Sequence, residues 1–145
     1  ALRLLNEALA TEIVCVLRYK RHYFMASGMN AQAVADEFHQ HVKAEQAHVD
    51  RIAARIVQLG GEPDFSPQGM LSRSHSEYVE GESLIDMIRE DLVAELVVIE
   101  SYREMINCFG SDDAASRRML EEILAAEEER LAELAALLEK LARHA

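Results

Sequence analysis

FHQHVKAEQAHVDRIAARIVQL, residues 38–59, is a stretch in which apolar and small residues recur at three- and four-residue steps, the spacing of one long helix. One stripe of that helix passes through Phe38, Glu45, Ile52, Ile56 and Leu59, with His41 and His48 beside it. A carboxylate and an imidazole therefore sit on the face that should be buried. Glu45 and His48 lie one turn apart, so both side chains can reach a single point. A bare buried carboxylate costs several kcal/mol unless a partner or a metal compensates it. Something must answer that charge.

Working outward, three further helices emerge. The first is predicted over residues 2–25, with the stripe Leu5, Leu9, Glu12, Val16, Tyr19 and Tyr23, and Ser27-Gly28-Met29-Asn30 supplies a glycine stop. The second spans residues 31–59 and is closed by Gly60-Gly61. Residues 60–82 hold both prolines and four of the six glycines, and form the one long connection. The third helix covers residues 83–109, with Ile85, Ile88, Leu92, Glu95, Ile99, Tyr102 and Ile106 on its stripe. Gly110-Ser111-Asp112-Asp113 is a turn and N-cap cluster. The last helix covers residues 114–143, with Leu120, Ile123, Glu127, Arg130, Leu134, Leu137 and Leu141 in line.

Two short connections make their flanking helices antiparallel neighbours, whereas a connection of more than 20 residues can run the length of a bundle. The expectation is a single all-α domain over residues 1–145: a four-helix bundle with one long crossover between helices 2 and 3. No internal sequence repeat or low-complexity segment is visible.

Composition narrows the function. A net charge of -11 and a pI near 4.9 argue against direct binding of nucleic acid phosphates and suit a surface that attracts cations. Cys15 and Cys108 fit no CxxC pattern, and Cys15 falls in an apolar run, as a packed thiol would. No apolar run reaches a membrane span and no signal peptide is seen, so a reducing cytoplasm is the expected compartment.

Each of the four stripes is interrupted once by a glutamate: Glu12, Glu45, Glu95 and Glu127. One such glutamate is ordinarily a frame error or a side chain that reaches water. Four, each near mid-helix with apolar residues a turn away on both sides, point to convergence. Converging carboxylates would repel one another strongly in a low-dielectric core, and two bridged divalent metals would relieve that repulsion. Carboxylate and imidazole ligands suit iron, manganese or zinc. Di-iron bundles use a Glu from each of two helices, the place of Glu12 and Glu95 here, and Glu-x-x-His from each of the other two. Here Glu45-Gln46-Ala47-His48 supplies one full motif.

At these residues the chain resembles the ferritin-like superfamily, in particular bacterioferritins and the smaller Dps-like ferritins. The likeness runs through LNEALATEIVCVLRYKRHYFMASG, EQAHVDRIAARIVQLGGEPDFSP, IREDLVAELVVIESYREMI and RRMLEEILAAEEER. It implies that Glu12 and His48 bind one iron, that Glu95 binds the other, and that Glu45 and Glu127 bridge them. Tyr19 matches a tyrosine near the family's di-iron centre, where it would give an electron or a hydrogen bond; packing in the core is its plainer role. The resemblance also implies a homo-oligomer.

Three departures stand out. The fourth helix reads Glu127-Glu128-Glu129-Arg130 where the family has a second Glu-x-x-His, and arginine stays protonated and cannot ligate a metal. Arg130 can pair with Glu127 or Glu95 and weaken the second position, or swing outward with water or Glu128 completing it. His41 can supply a nitrogen instead, or pack near the end of the site. Gln46 stands where bacterioferritins carry their haem methionine, so no haem is expected there. The sequence ends at Arg143-His144-Ala145, soon after the fourth helix, which leaves a dodecamer or smaller assembly open beside the 24-subunit shell. His39 and His75 are expected to be solvated, and His22 and His144 carry no assignable role.

The sequence thus predicts oxidation of Fe(II) to Fe(III) by dioxygen or peroxide, for iron storage or detoxification. One rival is a rubrerythrin-like or dimanganese peroxide-consuming enzyme, though the rubredoxin-type CxxC pairs are lacking. The other is a non-catalytic bundle in which Arg130 neutralises the glutamates.

Overall fold

The computed structural model describes residues 1–143, so the expectation for His144 lies outside the described residues. Five helices carry the chain: α1 (Leu2–Gly28), α2 (Gln32–Gln58), the single turn α3 (Met70–Arg73), α4 (Leu84–Cys108) and α5 (Ala114–Arg143). The four long ones form the bundle that the stripes predict. A 3-10 turn over Ser111–Asp113 leads into α5, and the Asp113 carboxylate accepts from the Ser116 N–H at 3.1 Å, which caps it. At the start of α4, Ser83 accepts from the Asp86 N–H at 3.1 Å in the same way.

Side-chain bonds between helices fix their directions. Tyr19 reaches Glu95 and Tyr102 reaches Glu12, so α1 and α4 run antiparallel. His48 meets Glu127 while Arg55 meets Asp113 and Ser116, so α2 and α5 are antiparallel too. Because α1 also turns back directly into α2, α2 and α4 are parallel, and the crossover must traverse the bundle. It does so along α1, pinned in register. Asn6 donates to the Glu62 carbonyl and accepts from the Asp64 N–H, and Thr11 accepts from the His75 N–H. Arg18 then donates to Ser76 Oγ and the Glu77 carbonyl, and His22 Nε2 lies 2.9 Å from the Val79 carbonyl.

The chain differs from its sequence reading at one helix end. Gly28 remains within α1, and the left-handed residue is Asn30, with φ of 58°. Asparagine tolerates that conformation better than most side chains, so it turns the chain into α2 and relieves Gly28 of the stop. Farther on, Gly81 has φ of 74°, and a Cβ there would come within 3.2 Å of the Met87 backbone. Glycine is needed where the crossover enters α4.

One core cluster joins all four long helices. Leu5, Leu9, Phe38, Ile52, Ile56, Ile88, Leu120, Ile123 and Leu134 are buried in it, each such burial contributing about 1.5–3 kcal/mol. The interrupting glutamates are fully buried with them.

Candidate metal centre

Glu12 comes from α1, Glu45 and His48 from α2, Glu95 from α4 and Glu127 from α5. All four glutamates are fully buried, and the His48 side chain is 12% exposed. The helical stripes force this: each glutamate occupies a core position whose neighbours one turn away must face inward. One ligand-type atom from each of Glu12, Glu45, His48 and Glu127 lies within 4.8 Å of the other three. His48 Nδ1 stands 3.2 Å from Glu127 Oε1, 3.6 Å from Glu12 Oε2 and 3.9 Å from Glu45 Oε2. Glu95 stands outside that foursome and is held from α1, where the Tyr19 hydroxyl donates to its Oε1 at 2.7 Å. Tyr102 does the reciprocal from α4, donating to Glu12 Oε1 at 2.5 Å.

Two hydroxyls and one imidazole do not satisfy four carboxylates. Glu12 Oε2, both oxygens of Glu45, Glu95 Oε2 and Glu127 Oε2 are buried without a hydrogen-bonding partner among the described residues. An orphaned buried acceptor costs about 1–3 kcal/mol, and more when charged. Hard oxygen donors with one borderline nitrogen are the donor set of iron, manganese or zinc, and unshared oxygens aimed at one small volume fit such ions.

The electrostatics follow from burial. Burial and then the charge of Glu127 push the Glu12 carboxyl up to about 7. Burial raises Glu45 and Glu95 well above the carboxylate range, with Glu12 and Glu127 respectively adding repulsion. Glu127 is raised by burial and then by Glu45. Burial alone would lower His48, but hydrogen bonds to Glu12, Glu127 and Glu45 outweigh it and lift the imidazole to about 12. Without metal, His48 is the cation of the cluster. Both buried phenols are pushed up, so Tyr19 and Tyr102 act as neutral donors.

Arg130 takes no part in this cluster. Its guanidinium donates to Glu133 Oε1 at 2.9 Å, and among the described residues no other carboxylate lies within ion-pair distance of it. Of the two arrangements that the sequence leaves open, the ion pair with Glu127 or Glu95 is not formed, and Glu133 takes the guanidinium instead. His41 likewise turns away: it is fully buried against Glu37 and Glu133 rather than reaching the four-residue cluster. Glu128 and Glu129 face solvent, as does Gln46, which donates to Asp50.

One polar layer next to the centre was not expected. Arg18 and Asp91 form a fully buried ion pair at 2.8 Å, and His22 Nδ1 lies 2.9 Å from the other Asp91 oxygen. The Arg18 guanidinium also lies 5.0 Å from the centre of the Tyr19 ring. Asp91 sits one turn before Glu95, yet it is written into the charged run Arg89-Glu90-Asp91, which looks like a solvated face. Only its position one turn along the stripe could have singled it out. Cys15 is buried and its thiol pushed up by that burial, a packing residue as its apolar surroundings suggest.

Comparison with known proteins gives one family. The model of the ferritin-like domain matches residues 2–144. Among characterised relatives, a bacterioferritin of Mycobacterium leprae is 30% identical over 90% of this chain and 78% of its own. A nutrient stress-induced DNA-binding protein of Nostoc is 31% identical over 94% of this chain and 76% of its own. Among solved structures, the bacterioferritin-related dodecameric thioferritin of Bacteroides fragilis superposes with a TM-score of 0.91. It is 26% identical, with 99% of this chain and 86% of that one covered.

Proposed function

The chain belongs to the ferritin-like domain family, and from that premise we propose that it oxidises Fe(II) to Fe(III) at a carboxylate-bridged dinuclear site for iron storage or detoxification. The observation that carries this reading is the convergence of Glu12, Glu45 and Glu127 on the His48 imidazole, with five buried oxygens of the four glutamates left without a partner among the described residues. Glu12, Glu45, His48 and Glu127 would hold one ion, and Glu95 with the shared Glu45 and Glu127 the other. Iron supplies the electrons, and dioxygen or peroxide accepts them. The protein's part is positional and protonic. Tyr19 and Tyr102 each hold one oxygen of a carboxylate and leave its other oxygen free. Entry of the cations displaces the protons that burial retains on the carboxyls and on His48. Burial of all four glutamates limits the access of bulk water to the centre.

Manganese or zinc suits the same donors, so the metal is a matter for loading experiments. The reading in which Arg130 neutralises the glutamates has less support, because His48 faces them and Arg130 is engaged by Glu133. Nucleic acid has no part in the proposal, since a net charge of -11 repels phosphates. Assembly into a homo-oligomer, as in the dodecameric relative, would place many such centres in one particle.

The test is iron content per chain after aerobic Fe(II) loading, beside the Glu45→Ala variant. Two irons, lost in the variant, support the dinuclear centre, and many more than two indicate mineral storage. None would sink the proposal. One iron would mean that the position lacking a nitrogen ligand stays empty. Arg130→His supplies that nitrogen on the same turn, and Fe(II) oxidation turnover is expected to rise in it. Unchanged turnover and metal content would show that the arginine does not limit the site.

A further inference from the structure

His41, Glu37 and Glu133 form a second cluster on the outer side of the α2–α5 pair, distinct from the buried centre. His41 is one turn before Glu45 on α2, and Glu133 is six residues beyond Glu127 on α5, a rise of about 9 Å. The His41 ring is fully buried, while the Glu37 and Glu133 side chains are 30% and 39% exposed. His41 Nε2 lies 3.3 Å from Glu37 Oε1 and 3.2 Å from Glu133 Oε2, and one ligand-type atom from each of the three lies within 4.8 Å of the others.

We propose that these three side chains form a second, solvent-facing site for a divalent cation of the zinc, manganese or ferrous class. Ligand bonds of about 2.1 Å at tetrahedral or octahedral angles separate neighbouring ligand atoms by roughly 3.0–3.4 Å, the separation seen on both His41 edges. A neutral imidazole has one Nε2 hydrogen to offer two carboxylates at near-equal distance, whereas a cation between them satisfies both. The ring is also held in place for the task. The ring stands at 83° to Tyr19 with centroids 4.9 Å apart, so packing sets its orientation. Arg130 engages Glu133 Oε1 and leaves Oε2 directed at His41. Three protein ligands on a half-exposed edge leave coordination positions to water, the mark of an exchangeable site. The site does not depend on any oxidation chemistry at the buried centre.

The probe is Zn(II), which has no redox chemistry. Metal-stripped protein and the Glu37→Gln/Glu133→Gln variant are titrated calorimetrically, and zinc is located by anomalous diffraction in crystals of the wild type. Glutamines at two half-exposed positions leave the core intact, which a melting curve verifies. The expected result is loss of one zinc per chain in the variant, or roughly tenfold or greater weakening of one binding step, with an anomalous peak beside His41 Nε2. Equal stoichiometry and affinity in both proteins would overturn the proposal, as would absence of that peak. Should the variant fail to fold, the wild-type peak alone decides. In Glu45→Ala, zinc retained at His41 but absent from the buried cluster in both proteins would count against the dinuclear reading and leave this site standing.

Discussion

In the metal-free protein, His48 faces Glu12, Glu45 and Glu127 as an imidazolium, and its stability contribution has a defined sign. A folded value raised to about 12 means stabilisation that is complete below the ordinary value of 6.5 and lost as pH rises through 12. Glu12, raised to about 7, prefers its neutral form, so the penalty of ionising it grows between 4.5 and 7. Glu45, Glu95 and Glu127 add the same sign, whereas the lowered Glu37 and Asp113 act oppositely from more exposed, screened positions. The metal-free protein is therefore expected to melt higher at pH 5 than at pH 8 in the presence of chelator. Metal affinity runs the other way, strengthening as pH rises through about 7, because the ligands must lose their protons. A melting temperature that climbs with pH in chelator would contradict this account of the cluster. Tyr102→Phe isolates one contact: it strips Glu12 Oε1 of its donor and is expected to lower unfolding free energy by about 1–3 kcal/mol in urea titrations.

Among the elements, the crossover is where stability and legibility part company. Its path along α1 depends on Arg18 and His22, which the buried Asp91 holds from α4. Asp91→Ala leaves a fully buried guanidinium without its carboxylate, and the expected cost is about 3–5 kcal/mol, with faster proteolysis within residues 60–82. Wild-type protease resistance in this variant would mean that the crossover is held by its other bonds. The four long helices were readable because each must bury one apolar stripe, and the interruption of every stripe by a glutamate marked the cluster. Arg18, His22 and Asp91 were not readable. Their burial depends on three segments meeting, and no period within one helix records that meeting. The turn α3 was hidden for the same reason: it buries only Met70, too little to leave a pattern. Arg130 was legible as a departure from Glu-x-x-His, but its direction depends on Glu133, one turn further along α5 and on a half-exposed edge.

The whole molecule presents an apolar groove between α1 and the crossover, lined by Ile13, Leu17, Phe65, Met70, Leu71 and Tyr78. Leu17 and Leu71 are 51% and 64% exposed, an unusual concentration for a surface that stays wet. If a second copy covers this groove in the proposed homo-oligomer, Leu17→Asp/Leu71→Asp is expected to reduce the particle to smaller species in sedimentation velocity. An unchanged sedimentation coefficient would place the contacts elsewhere. None of the described helices is long and apolar enough to cross a membrane.

The exchange of hydroxyls between Tyr19 and Glu95, and between Tyr102 and Glu12, joins pairs that are each seven residues apart on their own helix. The two bonds thereby form a reciprocal pair across α1 and α4, although no repeat is visible in the sequence. For the proposed dinuclear centre, such a reciprocal pair by itself gives no reason to fill one position before the other. Any order of filling would then come from the one nitrogen ligand, His48, which α2 supplies and which α5, with Arg130 bound to Glu133, does not match.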